Sequence, residues 1–323
     1  MPVTAVTGTG QVATDTAAYE QLAYYALRDE FYFDRCADVK PTNQTHPGSS
    51  VVFNILDELA TEATPTALDE LVDVAATALG DGIRTVTLAE YGKATSVSAK
   101  LRGTSYLAEM VRASTEIGNH AGKTLDNLAR NPLLGGSNVN YPGSATSRAT
   151  VTSADVITAA LVRQARVELA SNNSKRIGGA YKAFISPSVS YDLTTETGAD
   201  AWRDPHVHSK PEEIWNGMVG RFEGFDFIET PRLDIAELPT GFLNGGSSNA
   251  EVYPTLFLGQ QALAKAFSSS LEGNGPSPSI VVGPVTDQLR RFMSVGWFWL
   301  GGYGRFREES LVRLETTSSL DAA

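Results

Sequence analysis

The chain has 323 residues, 42% hydrophobic and 20% charged, values of an ordinary globular protein able to bury a large core. A net charge of −11 argues against gripping nucleic acid or docking on anionic lipid, since both need a basic surface. The single cysteine, Cys36, excludes an intrachain disulfide framework and a cysteine metal cluster. With no basic-then-apolar leader and no apolar run near the roughly 18 residues of a membrane helix, a soluble protein made in a cytoplasm is expected.

Residues 1–14 are small and polar and read as an arm. Asp15 or Thr16 then caps a helix to about Cys36, with Tyr19, Leu22, Ala26 and Phe31 in its stripe. Residues 40–50, with Pro41 and Pro47, read as a loop, and 51–56 as a short strand. Residues 57–82 are ambiguous: Leu68, Leu71, Val72, Ala75 and Leu79 have helical spacing, yet Pro65 and Gly80-Asp81-Gly82 suggest an excursion. The Val- and Thr-rich residues 84–98 read as a strand returning from it.

A long amphipathic helix follows. Leu107, Met110, Val111, Ser114, Ile117, Ala121, Leu125 and Leu128 recur at three- and four-residue spacing, Thr104 or Ser105 can cap the start, and Pro132 is expected to stop it. Gly118 and Gly122 are its weak points. Arg112 with Glu116, and Asp126 with Arg130, read as i,i+4 pairs on its wetter side. This helix is the expected spine, packed on a sheet that includes the last 30 residues. Residues 135–150 form a Gly-, Ser- and Asn-rich loop, 153–170 a helix, 180–185 a strand, and Ser186-Pro187 opens a short helix. A helix end at 212–217, strands at 225–229, 253–258, 262–267, 280–285, 297–304 and 310–316, and a loop at 238–249 complete an α+β order without a βαβ rhythm.

Signals for chemistry are weak. Gly8-Thr-Gly-Gln-Val-Ala13 resembles a dinucleotide fingerprint, but the helix caps come after it and no second buried strand ending in an acid follows; an α+β enzyme with this loop is the alternative reading. His206 and His208, with Asp200 and Asp204, read as solvated loop residues rather than a metal site, and no GxSxG elbow or GxxxxGK[ST] loop occurs. No catalytic, cofactor or metal residue is expected.

Several stretches together resemble the major capsid proteins of tailed phages with the Hong Kong 97-type fold, in the N-four-like podophage branch. They are Glu90-Tyr-Gly92, the helix ending in Asp126-Asn-Leu-Ala-Arg-Asn-Pro-Leu-Leu-Gly-Gly136, Ile185-Ser-Pro-Ser-Val-Ser-Tyr-Asp-Leu193, residues 214–230, Val252-Tyr-Pro-Thr-Leu256, Val295-Gly-Trp297 and Leu311-Val-Arg-Leu-Glu315. The resemblance implies an N-terminal arm with helix (1–50), an extended two-stranded loop (51–103), a peripheral domain with the spine helix (104–144), an axial domain (145–250) and a return to the peripheral domain (251–323). On that ground residues 57–82 are expected to be mostly extended. It further implies an icosahedral shell of hexamers and pentamers around double-stranded DNA, with portal, scaffolding and decoration proteins as partners, no membrane and no enzymatic activity. Lys93 and Lys100 lie near the loop's base, so covalent crosslinking is not carried over.

Residues 57–82 hold seven acidic side chains and no Lys, Arg or His. Asp69, Glu70 and Asp73 are therefore candidate contacts to basic residues of a neighbour. Arg102, Arg112 and Arg130 on the spine, and Arg290, Arg291, Arg305 and Arg307 near the C-terminus, are the candidate acceptors. Deleting residues 1–36 is expected to leave a folded chain that assembles poorly.

Overall fold

The computed structural model describes residues 31–42, 49–56, 80–105, 109–196, 218–242, 245–247, 250–269, 274–283 and 291–320, with 67, 73 and 78 as single points. The arm, most of 57–80, the two loop histidines and the 212–217 helix end lie outside the described residues.

A 3₁₀ turn at Asp34–Cys36 leads into strand β1 (Ala37–Thr42). Strands β2 (Ser50–Leu56) and β3 (Asp81–Thr87) form an antiparallel hairpin, with Leu56 opposite Asp81. After Leu88 come β4 (Ala89–Ser98), the short helix α1 (Ala99–Thr104) and the spine α2 (Glu109–Leu134). Then follow β5 (Val139–Asn140), α3 (Ala159–Ser171), β6 (Tyr181–Ile185), α4 (Pro187–Thr195), β7 (Met218–Phe222), β8 (Phe225–Glu229), β9 (Tyr253–Leu258), β10 (Leu263–Ser268), β11 (Ser279–Val282), β12 (Phe292–Arg305) and β13 (Leu311–Thr316).

Two larger sheets result. One runs β1-β10-β12-β11, with β4 pairing the other side of β12; the second runs β5-β13-β9-β6-β8-β7. The chain passes between them three times, from β4 through the spine to β5, from β9 to β10 and from β12 to β13. The second sheet therefore draws β9 and β13 from residues 251–323 and the rest from residues before 250.

Helix α2 serves both sheets. Its first half puts Met110, Ile117, Ala121 and Leu125 against Val295, Trp297 and Trp299 of β12. Its last turns put Ala129, Leu133 and Leu134 against Phe184, Leu256, Leu258 and Leu311. At 26 residues it spans about 39 Å and is unbroken at the buried Gly118 and Gly122. On the opposite face of the six-stranded sheet, Val162, Ala165 and Leu169 of α3 and Val189 and Leu193 of α4 cover Phe225, Phe227, Phe257 and Val312. Period-two alternation does this: along β9, Tyr253 and Phe257 face one layer while Leu256 and Leu258 face the other.

Several expectations need correction. The spine does not start at Thr104, which ends α1; Ser105 is extended at φ −75°, ψ 137°. Nor does Pro132 stop it: Pro132 sits in the final turn, where burial of Leu133 and Leu134 holds the helix for two more residues. Gly135 and Gly136 then close onto the carbonyls of Pro132 and Leu133. Residues 84–98 are two strands in different sheets. Crossing between them needs close approach: a Cβ at Gly302 would run into the Thr87 carbonyl. Asp81 and Gly82 belong to β3, and α3 begins at Ala159 because Asp155 holds Thr152 in a turn and Val156 bridges Thr317. Asp34–Cys36, expected as the end of a helix, form a 3₁₀ turn instead, and residues 37–42, of which 40–42 were expected as loop, form β1, parallel to β10.

Candidate assembly surfaces

The first polar constellation is internal. Residues 32–34 are bound into the core at the point where the first 30 residues join it. Backbone N–H groups of Tyr32 and Phe33 both donate to Asp126 Oδ1 at 2.9 Å. Phe33 is fully buried against Phe184, with ring centroids 4.6 Å apart. Lys265 Nζ and Tyr303 Oη each donate to Asp34 Oδ1 at 2.7 Å, and the buried ammonium also lies 5.7 Å from the Trp299 ring and 5.5 Å from that of Tyr303. Burial raises Asp126 to about 6, against the two backbone hydrogen bonds that lower it. The expectation that residues 1–36 form a detachable element thus fails for 32–36.

Asp126 and Arg130 are also not the wet ion pair expected. Arg130 is 2% exposed and donates from Nη1 to the carbonyls of Arg232 (2.6 Å) and Glu237 (2.8 Å). It staples the 230–238 turns to the spine and is not available to a neighbour. Four-residue spacing carries the signal that was overlooked: Ser114, Gly118, Gly122, Asp126 and Arg130 form one row, all buried.

The other candidates are superficial. Arg102 is exposed on α1, its Nη1 3.6 Å from Met293 Sδ. Arg112 is exposed on α2 and, with Lys93, Glu109, Glu116 and His120, lines an open groove of about 460 Å³ between β4 and the spine. There Trp297 Nε1 donates to His120 Nδ1 at 3.1 Å, and burial followed by the charge of Lys93 depresses the imidazole pKa. Arg291 is exposed, stacks at 5.7 Å over Phe292, and its carbonyl accepts from Ala99 N. Arg305 is tied to the Gly135 carbonyl and Glu308. Asp73 is exposed, whereas Asp69, Glu70 and Arg290 lie outside the described residues. These side chains are not brought into one cluster. Among the described residues no group of three or more His, Cys, Asp or Glu is placed to hold a metal.

A hairpin laid over β10 and β12, a spine shared by two sheets and dispersed surface charge suit a building block better than a reaction centre. A family model described as phage capsid protein matches residues 34–314, and the chain belongs to that family. Solved structures similar to it include the capsid of Ralstonia phage GP4 (16% identity, 90% of each chain covered, TM-score 0.70). The capsid asymmetric unit of cyanophage Pam1 is similar at 16% identity, with 87% of this chain and 88% of that one covered and a TM-score of 0.65. A virus-like particle from Pyrococcus furiosus is more distant, at 10% identity, 93% and 99% coverage and a TM-score of 0.52. At these identities the likeness is one of fold. No curated protein matches the sequence. The protein is a major capsid protein of the Hong Kong 97-like type, a structural shell component and not an enzyme.

Proposed function

We propose that this chain is the repeating unit of the icosahedral head of a tailed double-stranded DNA phage, closing as hexamers and pentamers, assembled in the host cytoplasm before joining the virion. Separate scaffolding and portal proteins are its partners, with a decoration protein where the phage encodes one. The observation that carries this reading is a hairpin packed on β10 and β12, its far end overhanging a cleft, beside two sheets that a single helix ties together. Such a shape offers an arm to a neighbour and a stiff plate to lie in a shell. Within it, residues 51–88 act as the extended loop, β4 joins residues 104–144 and the rest of the β12 sheet as the peripheral part, and the six-stranded sheet with α3 and α4 acts as the axial part. The acidic balance supports enclosure of DNA without gripping it. Sedimentation and negative-stain microscopy of the purified chain test the reading: capsomers, shell fragments or closed particles are expected, and a monodisperse monomer under all conditions tried, scaffolding protein included, would overturn it.

A further inference from the structure

The β2–β3 hairpin is seated over only part of its length. Val51, Phe53 and Val86 are buried against Ala264, Ala266 and Phe306. Farther along the same face, half-buried Ile55 and Gly82 and exposed Arg84 reach past the body. Beneath this overhang lies a cleft of about 420 Å³, walled on the other side by residues 172–175, the Gln260-Gln261 turn and residues 307–310. Its ionisable lining is Arg84, Lys175, Arg307 and Glu309, an excess of cations in a chain where acids outnumber bases 37 to 26. Arg84 and Lys175 are exposed, and neither side chain has a partner among the described residues. The walls are shaped by tight turns, with Asn173 at φ 53° and Gln261 at φ 65°.

The chemistry that would fill such a cleft is an acidic peptide, and the sequence holds one. Six acids and no base fall within residues 57–80, between β2 and β3. We propose that the cleft under the hairpin receives this acidic segment from a second copy of the chain. The proposal rests on the shell-forming reading above and names the contact it would use. Each copy then offers one segment and takes one, a head-to-tail exchange that repeats around a ring until it closes. A contact confined to one chain would satisfy the same charges but join nothing. The exchange also places acid and base on different copies, so monomers carry both charges unpaired until they meet.

The experiment reverses each side separately. One variant carries Arg84→Glu and Lys175→Glu; the other carries Asp69→Lys, Glu70→Lys and Asp73→Lys. Assembled fraction is read by sedimentation at low salt, with thermal melts to verify folding and Arg84→Gln with Lys175→Gln as a milder pair. Wild type should assemble; if it does not, the shell reading fails and not this contact alone. Each reversal alone should lower the assembled fraction at least tenfold, while a one-to-one mixture should recover it, because the unaltered segment of the first variant fits the unaltered cleft of the second and the reversed segment of the second fits the reversed cleft of the first. The milder pair should weaken assembly less in ~0.5 M salt than in ~0.05 M, since exposed charges are screened within about 8–10 Å at moderate ionic strength. Wild-type assembly of either reversed variant would overturn the proposal. So would a mixture that stays unassembled, and if a single chain carrying both reversals assembles where the mixture does not, the segment belongs to its own cleft.

Discussion

At the scale of single residues, stability hangs on two carboxylates with opposite tasks, half-buried Asp34 and fully buried Asp126. Asp34 neutralises Lys265, which is 2% exposed, and removing one member of such a pair leaves an uncompensated charge in the interior. Asp34→Ala should therefore cost about 3–5 kcal/mol in urea unfolding. Adding Lys265→Met, which fills the space without charge, should recover part of that loss. Asp126 behaves differently: its Oδ2 has no hydrogen-bond partner among the described residues, and its folded pKa stands at about 6 against an ordinary 3.8. The folded state thus holds a proton that the unfolded state has released. This group's contribution to stability is complete below about pH 3.8 and is lost as pH rises through 6. Asp126→Asn keeps an oxygen for the Tyr32 and Phe33 N–H groups and has no charge to bury. Its unfolding free energy should exceed that of wild type at pH 7.5 and match it near pH 4; a variant weaker at both values would show that the charge itself is needed.

At the scale of elements, legibility followed the source of each element's order. Tyr181–Ile185, Phe225–Glu229, Tyr253–Leu258 and Leu311–Thr316 were readable because their own apolar residues make them buried strands. Strand β1 was not, because Ala-Asp-Val-Lys-Pro-Thr carries no such pattern; its extended form comes from pairing with β10, over 200 residues away. The spine was readable in its middle and not at its ends, where Ser105 breaks it and packing overrides Pro132. Nothing in residues 84–98 announced that they would divide between two sheets. That division depends on the hairpin crossing β12 at Gly302 and Gly304, where Val86 and Thr87 leave no room for a side chain. Gly302→Ala should thus lift the hairpin from β12, destabilising the chain by about 1–3 kcal/mol through overpacking and speeding amide exchange in β2 and β3 before the rest of the fold. Protection unchanged in both strands would argue that the crossing can spread at no cost.

For the whole molecule, residues 32–36, counted with the arm in the sequence, belong to the body. Removing residues 1–30 keeps the ties from Asp126, Lys265 and Tyr303 to Tyr32, Phe33 and Asp34 and should leave a chain more stable than one that lacks 1–36. Removing 1–36 also deletes the buried Phe33 and the counter-charge of Lys265 and should lower stability by at least about 3 kcal/mol. Equal melts for the two truncations would refute this placement. The candidate assembly residues were less legible than the fold, because exposure of a charge depends on helical phase: Arg112 and Arg130 lie on the same helix, and only one of them reaches solvent.

The seat for residues 32–34 has a consequence in time. Asp34 must wait for Lys265 and Tyr303, which follow it by 231 and 269 residues. At ~5–20 residues per second of synthesis, the first partner emerges roughly 12–46 s after Asp34 itself. Closing so long a loop is entropically slow and comes after local contacts have formed. A polypeptide cut short before β10 has no place to fix its amino-terminal segment, so a truncated product lacks this anchor as well as the strands beyond it.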